Sequence, residues 1–199
     1  MTSLFEKVQR LYAQGHAATS ELEALWLDPR IQDVERFTPA AVLIAMTERE
    51  RPGMLFLHRP SNMRAHAGQI AFPGGRIDPG ETPIEAALRE AWEELGIPPE
   101  VVQVIGTTDL YQTSSGYEIT PILGIVPPDL DIDPNPAEVS QWFEAPVDFV
   151  LDPANHMQKT IEHDGHTHPF VEIDWHGHSI WGVTGAIVHN LSRRLRWHG

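Results

Sequence analysis

Glu90, Glu93 and Glu94 stand within one five-residue stretch, and Arg89 immediately precedes them. On a helix, at about 100° per residue, the three carboxylates fall in one sector. Like charges at that spacing repel by a few tenths of a kcal/mol per exposed pair, and by more once water is withdrawn. A divalent cation turns that repulsion into ligation. Oxygen ligands in a chain without cysteine favour Mg2+ or Mn2+ over zinc. Arg89, four residues from both Glu85 and Glu93, is expected to orient carboxylates, through them or through Glu81, rather than to attack anything. The competing reading is a solvated acidic face on an acidic protein.

The helix that would carry these groups is sharply marked. Thr82 can cap it, Pro83 suits its first position, and Glu85 completes a capping box. Ile84, Ala87, Leu88, Ala91 and Leu95 recur at helical spacing as a stripe to bury, opposite the glutamates, and Gly96 can close the helix in a left-handed cap. Before it, Ala40–Met46 and Met54–His58 predict two strands, and Ile70–Phe72 a third that ends at Pro73, Gly74 and Gly75, a composition favouring a tight turn. After it, Val101–Ile105, Tyr117–Val126 and part of Val139–Phe143 predict further strands. Glu162–Val171 suits a hairpin turning at Asp164 and Gly165, and Trp181–Arg196 a final helix. Strands divided by helices indicate an α/β layered fold. Residues 1–38 read as an N-terminal arm, partly helical around Ser20–Trp26, and residues 39–199 as a single domain.

The 199 residues carry 28 Asp and Glu against 14 Lys and Arg, a formal charge of −14 that opposes binding of extended nucleic acid. A small anion remains admissible where a cation or local arginines offset the field. The absence of cysteine excludes disulfides and thiolate zinc sites. No apolar run approaches the roughly 20 residues of a membrane span, and Met1–Arg10 lacks signal-peptide character, so the expectation is a soluble, cytoplasmic protein.

With Gly75, Glu81, Arg89, Glu90, Ala91, Glu93, Glu94, Gly96 and Ile97, the chain resembles the Nudix hydrolases. Their box is glycine, five residues, glutamate, seven residues, Arg-Glu, an aliphatic residue, any residue, Glu-Glu, any residue, glycine and an aliphatic residue. The resemblance implies an α/β/α sandwich with a central mixed sheet, and hydrolysis of a nucleoside diphosphate linked to another group. It further implies that Glu93 and Glu94 are metal ligands and Glu90 a further ligand or the base that activates water. Glu81 and Arg89 would then support them, and Gly75 would offer its carbonyl to the ion.

The preceding stretch is similar to the signature of the coenzyme A pyrophosphatases within that family, through Arg59, Arg64, Gly68 and Phe72 to Gly75. Leu55, Phe56 and Leu57 replace that signature's usual Leu-Leu-Thr, and Pro60 replaces its serine. This similarity implies a substrate site containing Arg59, Arg64, His66, Gly68 and Phe72, with coenzyme A cut to 3',5'-ADP and 4'-phosphopantetheine, or to the acyl form. A broader ADP-ribose or nucleotide-sugar pyrophosphatase and a nonenzymatic nucleotide-binding protein are the alternatives. Glu138 falls where the wider family often places another ligand or base, so either Glu90 or Glu138 would accept the proton of the attacking water. The same resemblance admits a homodimer, to which the N-terminal arm, the proline-rich later segment and the final helix could contribute. His163, His166 and His168 suggest an exposed hairpin more than a zinc site.

Overall fold

The computed structural model describes residues 2–17, 31–32, 34–60, 68–163 and 166–198. Its elements, in chain order, are α1 (Leu4–Ala17), β1 (Thr38–Thr47), β2 (Gly53–His58), β3 (Ile70–Ala71), β4 (Gly74–Arg76) and α2 (Pro83–Leu95). They continue with β5 (Gln103–Thr107), β6 (Tyr111–Gln112), β7 (Tyr117–Val126), β8 (Gln141–Pro146), α3 (Val147–Val150), β9 (Met157–His163), β10 (His166–Trp175), β11 (His178–Ile180) and α4 (Gly182–Leu195).

Eight strands form one mixed sheet along β3-β2-β1-β7-β5, with β4 also on β1, β6 on β7 and β8 on β2. The β1–β7 pairing is parallel over ten residues, whereas β1 pairs antiparallel with both β2 and β4. Side chains of β1 alternate between two cores, as period-two geometry requires. Ala41, Leu43 and Ala45 face α2 together with Ala87, Ala91 and Leu95. Ile44 and Met46 pack with Leu4, Val8, Ile187 and Leu191 of α1 and α4. This is the α/β/α sandwich with a central mixed sheet. The remaining strands, β11-β10-β9, form a small antiparallel sheet whose Val171, Ile173 and Ile180 join the α4-side core.

Several sequence expectations need revision. The arm contains a helix at Leu4–Ala17, docked through Leu4 and Val8 into the core, while the helix expected around Ser20–Trp26 lies outside the described residues, as does the hairpin turn at Asp164 and Gly165. Gly74 and Gly75 form a strand, not a tight turn: they pair with Val42 and Ala41 of β1. Glycine is needed there for proximity, since a Cβ on Gly74 would lie 2.4 Å from the Ala41 carbonyl oxygen. Among the described residues no helix is long and apolar enough to cross a membrane.

Candidate active site

The edge of β1 is shared, with Ala40–Val42 bound to β4 and Met46–Thr47 bound to β2. Helix α2 packs against both β1 and β4. Its start has the capping expected from the sequence: Thr82 accepts from the Glu85 amide, Glu85 accepts from the Thr82 amide, and Pro83 opens the first turn. Gly96 closes it with φ 69°, a left-handed value that glycine adopts without a Cβ penalty.

The glutamates divide by burial. Glu94 lies seven residues after Ala87, hence within about 20° of its direction around the helix, and is only 3% exposed. Its carboxylate accepts the Gly74 amide at 2.8 Å. Glu90 is half-buried and Glu93 exposed. The sequence expectation of three glutamates on one face opposite the apolar stripe therefore fails for Glu94, which sits at the stripe's margin.

Arg89 binds the other carboxylates together. Its Nε donates to Glu81 at 2.8 Å, Nη1 to Glu90 at 2.9 Å and Glu93 at 3.0 Å, and Nη2 to the Arg76 carbonyl at 3.0 Å. The hydrogen bond to Glu81 is the main cause that raises the Arg89 pKa, and the same bond, with the Asp78 amide, holds the Glu81 carboxyl below its usual value. Arg89 is thus placed to orient Glu81, Glu90 and Glu93.

Desolvation pushes the Glu94 pKa up to about 8, against the Gly74 amide and the Arg59 charge, and with help from the charges of Glu90 and Glu138. Glu90 is raised chiefly by desolvation, against the Arg89 hydrogen bond. Two carboxylates withdrawn from water and facing a third create an excess of negative charge that a bound cation would relieve. Gly75 fits the same requirement: a Cβ there would stand 2.3 Å from Glu90 Oε1, so glycine leaves open the space against the Glu90 carboxylate. Among the described residues, no three His, Asp or Glu side chains already converge as a complete ligand set. The Arg89 and Gly74 bonds account for the present directions of the glutamates. A divalent cation is the kind of group that would compensate this charge, and Glu90, Glu93 and Glu94 carry the oxygens that could hold it.

Arg59 follows β2 directly, and its charge acts on Glu94, partly countering the rise in that carboxyl's pKa. Phe72 is buried, stacked on Phe56 at 4.9 Å; its place is in the core. Gly68 adopts φ 69° and donates its amide to the Arg59 carbonyl at 3.1 Å, closing the base of the segment between them. Arg64 and His66 lie outside the described residues. Glu138 is exposed on the loop between β7 and β8, and its charge is felt at both Glu90 and Glu94. Sequence reasoning missed His58 and His178, whose Nε2 and Nδ1 atoms approach to 2.9 Å beside Phe143. No local spacing links residues so distant in the chain.

Residues 36–176 match the NUDIX domain family. Among curated proteins, an uncharacterized Nudix hydrolase NudL of Enterobacter sp. (strain 638) is 42% identical over 166 residues, covering 82% of this chain and 86% of that protein. A second NudL, from Photorhabdus laumondii, is 39% identical over 168 residues, covering 84% of this chain and 89% of the relative. Among solved structures, the Nudix hydrolase RenU of M. smegmatis aligns at TM-score 0.48 and 26% identity, covering 56% of this chain and 71% of that one.

Proposed function

The chain belongs to the Nudix family and is a diphosphate hydrolase, and from that premise we propose that its substrate is coenzyme A or an acyl derivative, cut within the diphosphate. The carrying observation is the Gly74 amide, inside the Phe72–Gly75 stretch of the upstream signature, donating to the Glu94 carboxylate at 2.8 Å, with the Arg59 charge also acting on Glu94. It supports reading the upstream signature and the carboxylate helix as parts of one site, where a cationic guanidinium can hold a phosphate beside the acidic groups.

Glu90, Glu93 and Glu94 would hold Mg2+ or Mn2+, which when bound stabilises charge developing on the phosphoryl oxygens. The chain's own groups do the rest. Arg59 binds and orients the diphosphate. Arg89 fixes Glu81, Glu90 and Glu93 relative to the β4 carbonyl of Arg76. Either Glu90 or Glu138 takes a proton from water as its oxygen bonds to phosphorus. The bridging P–O bond breaks with its electron pair moving to the departing phosphate. For coenzyme A the products are 3',5'-ADP and 4'-phosphopantetheine.

The test is a product-resolved assay with Mg2+ and with Mn2+, offering coenzyme A, its oxidised and acylated forms, ADP-ribose and dinucleotides. Release of 3',5'-ADP from coenzyme A is the expected result. Coenzyme A left intact while ADP-ribose or a dinucleotide is cleaved would overturn the substrate assignment and leave the family chemistry standing.

A further inference from the structure

The loop carrying Glu138 is fastened at both ends. On one side, the Asp133 and Asn135 amides donate to the Leu95 and Glu94 carbonyls, at 3.1 and 2.9 Å. These carbonyls lie in the last turn of α2, where intrahelical partners run out. On the other side, the Ser140 amide and hydroxyl both donate to the His58 carbonyl, at 3.0 and 3.1 Å, one residue before Arg59. Between these anchors, Val139 is buried in the α2-side core. Its amide and that of Glu138 both donate to the Asn135 carbonyl, at 2.8 and 3.0 Å.

The backbone beneath Glu138 is therefore fixed, whereas an exposed glutamate side chain ordinarily samples several rotamers. One side chain limits that freedom. Asn135 Oδ1 accepts the Ala137 amide at 3.1 Å, and Asn135 Nδ2 lies 3.1 Å from Glu138 Oε1. The first contact settles the second, because a backbone N–H can be received only by Oδ1, which turns the NH2 group toward the carboxylate. The flanking Pro134 and Pro136 restrict the Asn135 backbone further. Aspartate could keep the Ala137 bond but would have no proton for Glu138.

We propose that Asn135 is a positioning residue: its amide holds the Glu138 carboxylate toward the Glu90 and Glu94 cluster while its backbone ties that loop to α2. This rests on the reading of Glu138 as a working carboxylate of the site, and it does not depend on which diphosphate is the preferred substrate.

The experiment is a double-mutant cycle on the full chain, measuring kcat and KM with coenzyme A and with ADP-ribose in Mg2+, alongside thermal melting. In the wild-type background, Asn135→Asp, which preserves the turn, and Asn135→Ala are each expected to lower kcat by about 10- to 100-fold with little change in KM. In a Glu138→Gln background, the same Asn135 substitutions should change kcat less than about twofold, since the group they position is already disabled. Equal losses in both backgrounds would show that Asn135 acts through the fold and overturn the proposal. Full activity in Glu138→Gln would overturn it differently, by removing Glu138 from the working site. Asn135→Asp melting like wild type would separate loss of positioning from loss of structure.

Discussion

The Glu94 carboxylate and the Gly74 amide are hydrogen-bonded at 2.8 Å, joining the carboxylate-bearing helix α2 to β4. One neutral donor does not offset the burial of a full charge, and the Glu94 pKa rises to about 8, chiefly by desolvation. In metal-free protein the folded state therefore holds this proton more tightly than the unfolded chain, whose reference value is 4.5. The associated stability is fully present below pH 4.5 and is lost as pH rises through about 8. Relative to Glu94→Gln, metal-free wild type should thus lose melting temperature from about pH 5 to 8, by about 2–4 °C for each kcal/mol forfeited. Mg2+ or Mn2+ should return most of it, because ligation favours the ionised form. Parallel melting curves for the two proteins at every pH, with or without metal, would sink the prediction.

Arg89 holds Glu81, Glu90 and Glu93 with one planar group and reaches the Arg76 carbonyl as well. Lysine carries the charge but lacks the fork that satisfies several acceptors at fixed angles. Arg89→Lys is therefore expected to fold, with stability lowered by about 1 kcal/mol and kcat by roughly 10-fold or more. Arg89→Ala should cost more in both, since the stem's packing disappears too. Chemical denaturation paired with steady-state kinetics checks this, and normal turnover in a folded Arg89→Ala protein would refute the orienting role.

Gly74 and Gly75 adjoin in sequence but exclude a side chain for different reasons. A Cβ on Gly74 would strike backbone, 2.4 Å from the Ala41 oxygen and 2.6 Å from the Val42 Cα. At Gly75 the obstruction is the Glu90 side chain, with Oε1 at 2.3 Å and the carboxyl carbon at 2.5 Å. Gly74→Ala should consequently part β4 from β1 and destabilise by about 1–3 kcal/mol or more. Gly75→Ala should leave the melting temperature nearly unchanged and lower kcat by displacing Glu90. Similar melting losses for both variants, with Gly75→Ala fully active, would contradict this division.

What the sequence disclosed depended on distance along the chain. The α2 cap, its Gly96 terminus and the β7 span were legible because Thr82, Pro83 and Glu85, or the apolar half of β7 from Pro121 to Val126, act on their neighbours. Burial of Glu94 was only half legible: its place seven residues after Ala87 sets it at the margin of the apolar stripe, but the Gly74 amide that meets its carboxylate comes from β4. Gly74 and Gly75 were misread as a turn for a related reason: their demand is for closeness to Val42 and Glu90, and composition cannot distinguish closeness from a positive φ. Helix α1 went unread although Leu4, Val8, Leu11 and Tyr12 recur at helical spacing and, with Phe5, pack on the α4-side core. In the site, Glu90, Glu93, Glu94 and Arg89 were visible by local spacing, whereas Asn135 depends on an α2 carbonyl far away in sequence.

The junction between α4 and the start of the small sheet contains a second titrating device. His156 Nε2 lies 2.8 Å from the Val150 carbonyl, and His156 Nδ1 lies 2.9 Å from His189 Nδ1. A carbonyl only accepts, so neutral His156 carries its proton on Nε2 and takes a hydrogen bond from His189 Nδ1–H. Protonating both imidazoles would set two N–H donors against each other. Burial lowers both pKa values, that of His189 to about 4 with further lowering from His156 and Arg193, while the Val150 carbonyl and Asp152 partly counter the shift at His156. Depressed histidine values mean that stability is present above the unfolded value of 6.5 and is lost as pH falls toward 4. Glu94 runs in the opposite direction across this window, so the measurement belongs in the Glu94→Gln background. There, the denaturation midpoint should fall between pH 7.5 and 5, and His189→Gln, whose amide can still donate to His156 without titrating, should flatten the fall. Holding the lower limit near pH 5 keeps the carboxylates stabilised by Arg89 and Thr82 largely ionised. An identical acid sensitivity with and without His189 would mean that the imidazole pair does not couple protons to this junction.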